Sequence, residues 1–457
     1  MAQAWEQYLS EHAERQLDEL KEWLRIPSVS ALPEHQADVR QSAEWIADKL
    51  RQAGVPEVAL LPTERNPVVF GHWHVDDNQP TALIYGHYDV QPPDPLQLWQ
   101  SPPFDPTVRD GHLFARGASD DKGSGFMPVA ALQALSATQG GPKINLKFFY
   151  EGEEEIGSPS LPKFIAEQKD RLKCDFVISA DGGMYGPDHP SLTLSSKGLA
   201  GCQLDLRTAG TDLHSGQFGA AVPNAVQQLV QLAATFHTPD GRVNVAGFYD
   251  RVKELTPEEK DEIETIPFDE RAYREAIGAP ALWGESGYTP LERAWARPTL
   301  DINGFWGGFQ GEGIKTVTPA EAHLKITCRL VADQRPEEII ELIQRHVEQH
   351  CPPTARVTVT PFPGAAVPFS ISRDNPALRT AAMVLKELYG KEPLYTRAGG
   401  TLPVSGIFLK ELGAETVSFA WGMPGANVHA PNENFGLKES FEPARRAYCM
   451  YLNALAR

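Results

Sequence analysis

Apolar and polar positions alternate in two distinct styles along this chain. Near the start, Trp5, Leu9, Leu17, Leu20 and Leu24 recur at helical spacing, which predicts an amphipathic helix. Short apolar runs at Val58–Leu61, Val68–His72, Ala82–Tyr85, Ile144–Tyr150 and Phe176–Ser179 read as strands. Between them, Gly123–Ser136 carries Met127, Val129, Ala130, Leu132 and Leu135 at helical spacing, and Ser160–Asp170 places Leu161, Phe164 and Ile165 on one face. Strands alternating with helices predict an α/β layer, with helices covering a mainly parallel sheet.

The style changes near Leu192. Cys202, Leu204 and Leu206 alternate in a strand at 201–207, a helix follows at 224–236, and a polar, proline-punctuated stretch runs from Pro239 to Pro298. Its acidic part, Glu254–Glu264, reads as an exposed helix. A strand at 322–331, a helix opening at Pro336 with Glu337 and Glu338 in its first turn, and a strand at 356–360 complete a small α+β unit. The α/β style returns with a helix at 376–389 and a strand at 416–420. One domain inserted into another is therefore expected, with residues 194–375 inside a domain made of 1–193 and 376–457. No internal repeat or low-complexity tract interrupts this order.

A length of 457 residues exceeds one core and suits two or three domains. No run approaches the roughly 18 apolar residues of a membrane span, and the charged first 25 residues exclude a secretory signal. Five scattered cysteines without C-x-x-C spacing read as reduced thiols, which predicts a cytoplasmic protein and argues against a cysteine zinc site. The net charge of -18 would repel a phosphate backbone, so nucleic acid is excluded as a partner.

Part of that charge sits where ligands bind in open parallel sheets, beyond the carboxyl ends of strands. Three such strands run into Gly86-His87-Tyr88-Asp89, Glu151-Gly152-Glu153-Glu154-Glu155 and Ala180-Asp181-Gly182-Gly183. His87 and Asp89 share one face of an extended segment, as a metal-bound imidazole and its carboxylate partner would, although H-x-D is common by chance. Arg116-Gly117-Ala118-Ser119-Asp120-Asp121-Lys122-Gly123 precedes a helix. It could present a carboxylate from a fixed backbone, or simply cap the helix with Asp120 or Asp121. The glutamate run could be a solvated turn, or a site where a cation relieves the repulsion of adjacent carboxylates. His429 and His214 lie in loop segments, Val428-His429-Ala430-Pro431-Asn432-Glu433 and Asp212-Leu213-His214-Ser215-Gly216.

Taken in order, H-x-D, R-G-x-x-D-x-K-G, E-G-x-E-E-x-G-S, a strand-terminal Asp, D-L-H-S-G and a late His resemble one family over nearly the whole chain. This is the carnosine dipeptidase (cytosolic non-specific dipeptidase) branch of the acetylornithine deacetylase/succinyl-diaminopimelate desuccinylase metallopeptidases. Leu24-Arg25-Ile26-Pro27-Ser28-Val29-Ser30, Gly313-Ile314-Lys315-Thr316-Val317 and Arg397-Ala398-Gly399-Gly400-Thr401 add to the resemblance.

The resemblance implies a zinc-aminopeptidase-like catalytic domain, with a mainly parallel sheet and helices on both faces, interrupted by an α+β lid that also dimerises. It implies two divalent cations per subunit, zinc foremost and manganese or cobalt as alternatives. His87 and Asp181 would hold one and Glu155 and His429 the other, with Asp120 bridging. Asp89 would orient His87, and Glu154 would be the general base. The Asp120–Asp121 bond would be cis. His214 would stabilise the oxyanion in the partner's site of a homodimer. Arg329 would grip a substrate carboxylate, with Thr316, Gly400 and Thr401 also binding substrate. Three carboxylates nearly balance two dications, so such a centre can be buried without a large charge cost.

The branch has Glu where this chain has Ala398, a partner for a substrate's free amine. An N-acyl amino-acid deacylase is therefore the alternative to a dipeptidase. Dinuclear phosphoester hydrolysis would also suit two metals, but no arginine cluster or P-loop is present to hold phosphate. A non-catalytic homologue would lack the base or a ligand, and Glu154 and all five ligands are present.

Overall fold

The computed structural model describes residues 3–456. Two compact units divide the chain: Met1–Leu194, Ile371–Thr396 and Ile407–Arg457 form one, and Ser195–Ser370 with Arg397–Gly406 the other.

The first unit is built on a six-stranded mixed sheet. In spatial order its strands are Glu57–Leu61, Val68–Trp73, Asn145–Glu151, Thr81–His87, Phe176–Ser179 and Thr416–Ser418. The first two pairings are antiparallel and the remaining three parallel. Strand Asn145–Glu151 is buried along its whole length, as a central strand covered on both faces must be. The register sets His87 opposite Glu151, so both strands end at the same level.

Helix Lys122–Gln139 forms where the apolar spacing at Gly123–Ser136 predicts one. Every residue from Lys122 to Leu135 is buried, so this is a central helix covered on all sides. Lys122 is accommodated because its ammonium donates to the main-chain carbonyls of Trp23 and Ile26, at 3.1 and 2.8 Å. The expected N-terminal helix is two, Ala4–Glu11 and Ala13–Leu24, broken at His12. There the imidazole stacks on Tyr8 and its Nδ1 lies 3.0 Å from the Tyr8 carbonyl. Gln16, not Leu17, takes the buried position, held by Arg445 and the Ala130 carbonyl.

The second unit carries a four-stranded antiparallel sheet ordered Thr299–Gly307, Glu321–Leu330, Gly198–Arg207, Arg356–Pro361. Cys202, Leu204 and Leu206 point inward, as their alternation predicts. They pack with Leu324, Ile326 and Cys328 and with Leu229, Ile339 and Ile343 from helices Ala225–Ala233 and Pro336–His350. The acidic stretch forms helix Pro257–Glu264, closed by a capping box between Thr256 and Glu259. It is not merely an exposed face: Glu259 and Glu262 lie 3.1 and 3.8 Å from the buried guanidinium of Arg397.

Among the described residues, no helix is long and apolar enough to cross a membrane.

Candidate metal centre

Three parallel strands end together and deliver His87, the glutamate run and Asp181. Each is positioned by close backbone packing. A Cβ on Gly183 would sit 2.3 Å from the Gly422 carbonyl oxygen, so only glycine lets the Asp181 turn approach the chain that leads to His429. His429 itself has φ +60, a conformation seldom adopted by a residue with a side chain. Its loop is tied down by Asn432, whose amide group accepts from the Gln100 N–H and donates to the Leu98 carbonyl.

The ligating atoms of His87, Asp120 and Asp181 lie within 4.8 Å of one another, and so do those of Asp120, Glu155 and His429. Asp120 belongs to both groups. His87 Nε2 is 3.0 Å from one of its oxygens and His429 Nε2 is 2.9 Å from the other. His429 Nε2 also lies 3.1 Å from Glu155. The Asp120–Asp121 peptide bond is cis.

Hydrogen bonding orients these donors from behind. His87 Nδ1 lies 3.0 Å from the main-chain carbonyl of Asp89 and 3.4 Å from its carboxylate. A carbonyl can only accept, so Nδ1 carries a proton and Nε2 is the nitrogen turned toward Asp120. Asp89 accepts from Ser30 Oγ at 2.6 Å and from the Glu155 N–H at 3.2 Å. Gln91 donates to Glu155 from its main chain and its side chain.

The electrostatics show surplus negative charge. Burial alone would push His87 down, but hydrogen bonds to Asp120 and Asp89 outweigh it and hold the imidazole well above its usual range. Hydrogen bonds to Asp120 and Glu155 push His429 up to about 10. Burial, then the nearby Asp120 carboxylate, raises Asp181 to about 7. Burial, reinforced by Asp181, Glu155 and Asp120 and opposed by His87, also holds Glu154 well above the carboxylate range. Acids that resist ionising and imidazoles that hold protons mark a cluster demanding positive charge. Mixed imidazole and carboxylate donors facing one another satisfy that demand with divalent cations, so these residues fit a two-cation centre.

Two alternatives open in the sequence close here. Asp121 is the N-cap of helix Lys122–Gln139, but its side chain makes no capping bond and instead accepts from the His87 N–H at 3.1 Å. The glutamate run is not a solvated turn. Glu151 is buried and accepts from Tyr85 and Ser158, while buried Glu153 accepts from the Asn66 and Ser160 N–H groups.

The model of peptidase family M20/M25/M40 matches residues 83–454. The chain belongs to this family. It is similar to the Cys-Gly metallodipeptidase dug1 of Schizosaccharomyces pombe, at 29% identity over 94% of this chain and 93% of that protein. It is similar to the human Beta-Ala-His dipeptidase, at 28% identity over 93% of this chain and 87% of that one. Among solved structures, the M20 metallo-carboxypeptidase Sso-CP2 of Sulfolobus solfataricus superimposes with a TM-score of 0.83. It is 32% identical, over 96% of this chain and 99% of that one. This M20 chain is thus a hydrolase of a family that includes dinuclear metal-binding peptidases.

The remaining predicted residues lie in the second unit. Exposed His214 pairs with Val317 across a short ladder, and the Ser215 N–H donates to the Thr316 carbonyl, so the His214 and Thr316 segments are neighbours. His214 Nδ1 accepts from the Gly216 N–H at 3.0 Å, which leaves Nε2 as the protonated nitrogen. Arg329 donates to Thr401 Oγ1 at 2.6 Å, and the Gly400 carbonyl accepts from the Lys197 N–H.

Sequence reasoning missed Ser30 as a partner of Asp89, Gln91 as a partner of Glu155, and Glu433. The Glu433 carboxylate is buried beneath the Asp120 loop and accepts from four donors there. Nothing local in the sequence marks these pairings.

Proposed function

We propose that this chain is a metal-dependent dipeptidase that hydrolyses small peptide-type amides at a centre holding two cations. The observation that carries this reading is the pair of donor groups sharing Asp120, with Glu154 beside them. His87, Asp120 and Asp181 would hold one cation, and Asp120, Glu155 and His429 the other. Zinc suits this donor set best, with manganese or cobalt as alternatives. When bound, the two cations polarise the scissile carbonyl and lower the pKa of the attacking water.

The chain's own residues do the rest. Glu154, next to Glu155, acts as general base, taking a proton from the attacking water and returning it to the leaving amine. Asp89 fixes the tautomer and direction of His87. His214 donates from Nε2 to the oxyanion, in the site of a partner copy. Arg329, braced by Thr401, pairs with a substrate carboxylate through its planar fork, and Thr316 and Gly400 complete the substrate contacts.

A homodimer is supported by the second unit's edge strand Thr299–Gly307, which leaves Ile302 and Phe305 exposed. A reducing, cytoplasmic setting is supported by five free cysteines.

Ala398 favours a second reading. Where a glutamate would meet a free amine, this chain offers a methyl group at the end of strand Leu394–Ala398. A carboxypeptidase, such as the similar Sulfolobus solfataricus enzyme is named, or an N-acyl amino-acid deacylase would need no such partner. The test is a substrate panel. Chain stripped of metal and reloaded with zinc or manganese is offered free dipeptides, longer peptides and N-acetyl or N-succinyl amino acids. Higher kcat/KM for free dipeptides supports the dipeptidase; equal or higher values for blocked amines overturn it in favour of the second reading.

A further inference from the structure

Asp120 is the one residue in both donor groups, yet it sits on a loop rather than in a strand or helix. Something must hold that loop against the repulsion of the surrounding carboxylates. The Asp120 N–H and the Ser119 N–H both point at one oxygen of Glu433, at 2.9 and 2.8 Å. The Gly117 N–H and Arg116 Nη1 point at the other, at 2.9 and 2.7 Å. Three main-chain donors and a guanidinium thus enclose a single carboxylate, an anion nest closed from the protein side. Both Glu433 and Arg116 are almost fully buried. The nest needs the turn that Gly117 makes at φ +81, where a Cβ would lie 2.7 Å from Val90.

Glu433 is also joined to the other side of the centre. It follows His429 by four residues, and its main-chain carbonyl accepts from the Ala115 N–H. Strand Asn434–Gly436 continues that pairing against His112–Phe114. The loop bearing His429 and the loop bearing Asp120 are therefore pinned to each other through one residue.

We propose that Glu433 is a positioning residue that sets Asp120 between the two cation sites and fixes its spacing from His429. The proposal rests on the two-cation reading above. Glu433 need touch neither cation nor substrate; it acts through four hydrogen bonds on the Asp120 loop. Only a carboxylate fits. Each oxygen serves two donors, so an amide would turn an NH2 toward one pair whichever way it is placed.

The test compares wild type with Glu433→Gln, Arg116→Lys and a control, Arg445→Met, which removes a buried guanidinium from the same unit away from these loops. Zinc affinity is measured by competition with a chromophoric chelator, alongside thermal denaturation of the metal-free proteins. The expected result for Glu433→Gln is a loss of about 10- to 100-fold in affinity for the weaker of two zinc ions. Its kcat should recover to within a few-fold of wild type at saturating zinc. Arg116→Lys should show a smaller loss in the same direction, and it serves where Glu433→Gln fails to fold. Arg445→Met should lower Tm but leave zinc affinity unchanged. Wild type binding two zinc ions, with the Glu433 and Arg116 variants binding them equally tightly, overturns this proposal alone. A wild-type chain that binds no second zinc overturns the two-cation reading and this proposal with it.

Discussion

Ser30 donates its hydroxyl to the Asp89 carboxylate at 2.6 Å, across 59 residues of chain. The bond ties the segment after the second helix to the residue behind His87. The same segment is fixed by Ser28, which donates to the Tyr88 carbonyl, and by a bridge between Val29 and Val90. With Ser30→Ala, Asp89 loses its shortest donor and keeps the longer one from Glu155. A hydrogen bond to a charged group contributes about 1.5–3 kcal/mol. Ser30→Ala should therefore lower stability by about that amount at most and weaken zinc binding. Unfolding by denaturant and chelator competition check this. Unchanged zinc affinity would show that Asp89 is held adequately without Ser30.

Glu154 lies next to Glu155 but belongs to neither donor group. Replacing it by Gln keeps the shape and removes the basic oxygen. Glu154→Gln should bind both cations with wild-type stoichiometry while kcat falls by about 100- to 10,000-fold, the usual contribution of a positioned base. Elemental analysis and steady-state kinetics on one preparation separate the two effects. Retained turnover would remove Glu154 as the base.

Stripping the cations should destabilise the first unit, because His87 and His429 alone would then offset the carboxylates of Asp120, Glu155 and Asp181. A ligand that binds only the folded state adds about 2.7 kcal/mol when present at a hundred times its Kd. Chelation should therefore lower Tm, and added zinc should restore it. The check is differential scanning calorimetry with and without chelator, on protein whose metal content is measured. An identical Tm in both conditions would argue that no cation is bound to the folded chain.

What the sequence showed of this site followed from how abruptly its apolar runs end. Ala82–Tyr85 stops at Gly86-His87 and Phe176–Ser179 at Ala180-Asp181, and in parallel strands such endings fall at one edge. Periodicity located helix Lys122–Gln139 but not its burial on every side, since the small residues between its apolar positions are buried as well. The break at His12 was hidden because the apolar spacing runs on through it. The partners of the site residues were illegible for a different reason. Glu433 lies more than 300 residues from the loop it holds, and Glu259 and Arg397 are 138 residues apart. Only folding brings such groups together, and a lone acidic or basic residue looks the same in a sequence whether solvated or buried.

His346 offers a prediction for the second unit that is independent of any metal. It lies in helix Pro336–His350, only 3% exposed, with Nε2 2.8 Å from Thr235 Oγ1. Its ring stacks on Phe236 at 4.8 Å and on His350 at 4.1 Å. Burial, and then the neighbouring His350, pushes His346 down to about 4. In the unfolded chain the same imidazole titrates near 6.5. Between those two values the unfolded state binds the proton and the folded state does not, so stability falls as protons are added. The contribution is therefore complete above about pH 6.5 and is lost as the pH drops toward about 4. His346→Gln keeps a side chain able to meet Thr235 and cannot titrate. Between pH 7 and pH 5 the wild-type chain should lose more stability than His346→Gln, as measured by denaturant unfolding at each pH. Parallel losses would mean that His346 takes up its proton as readily in the folded chain as in the unfolded one.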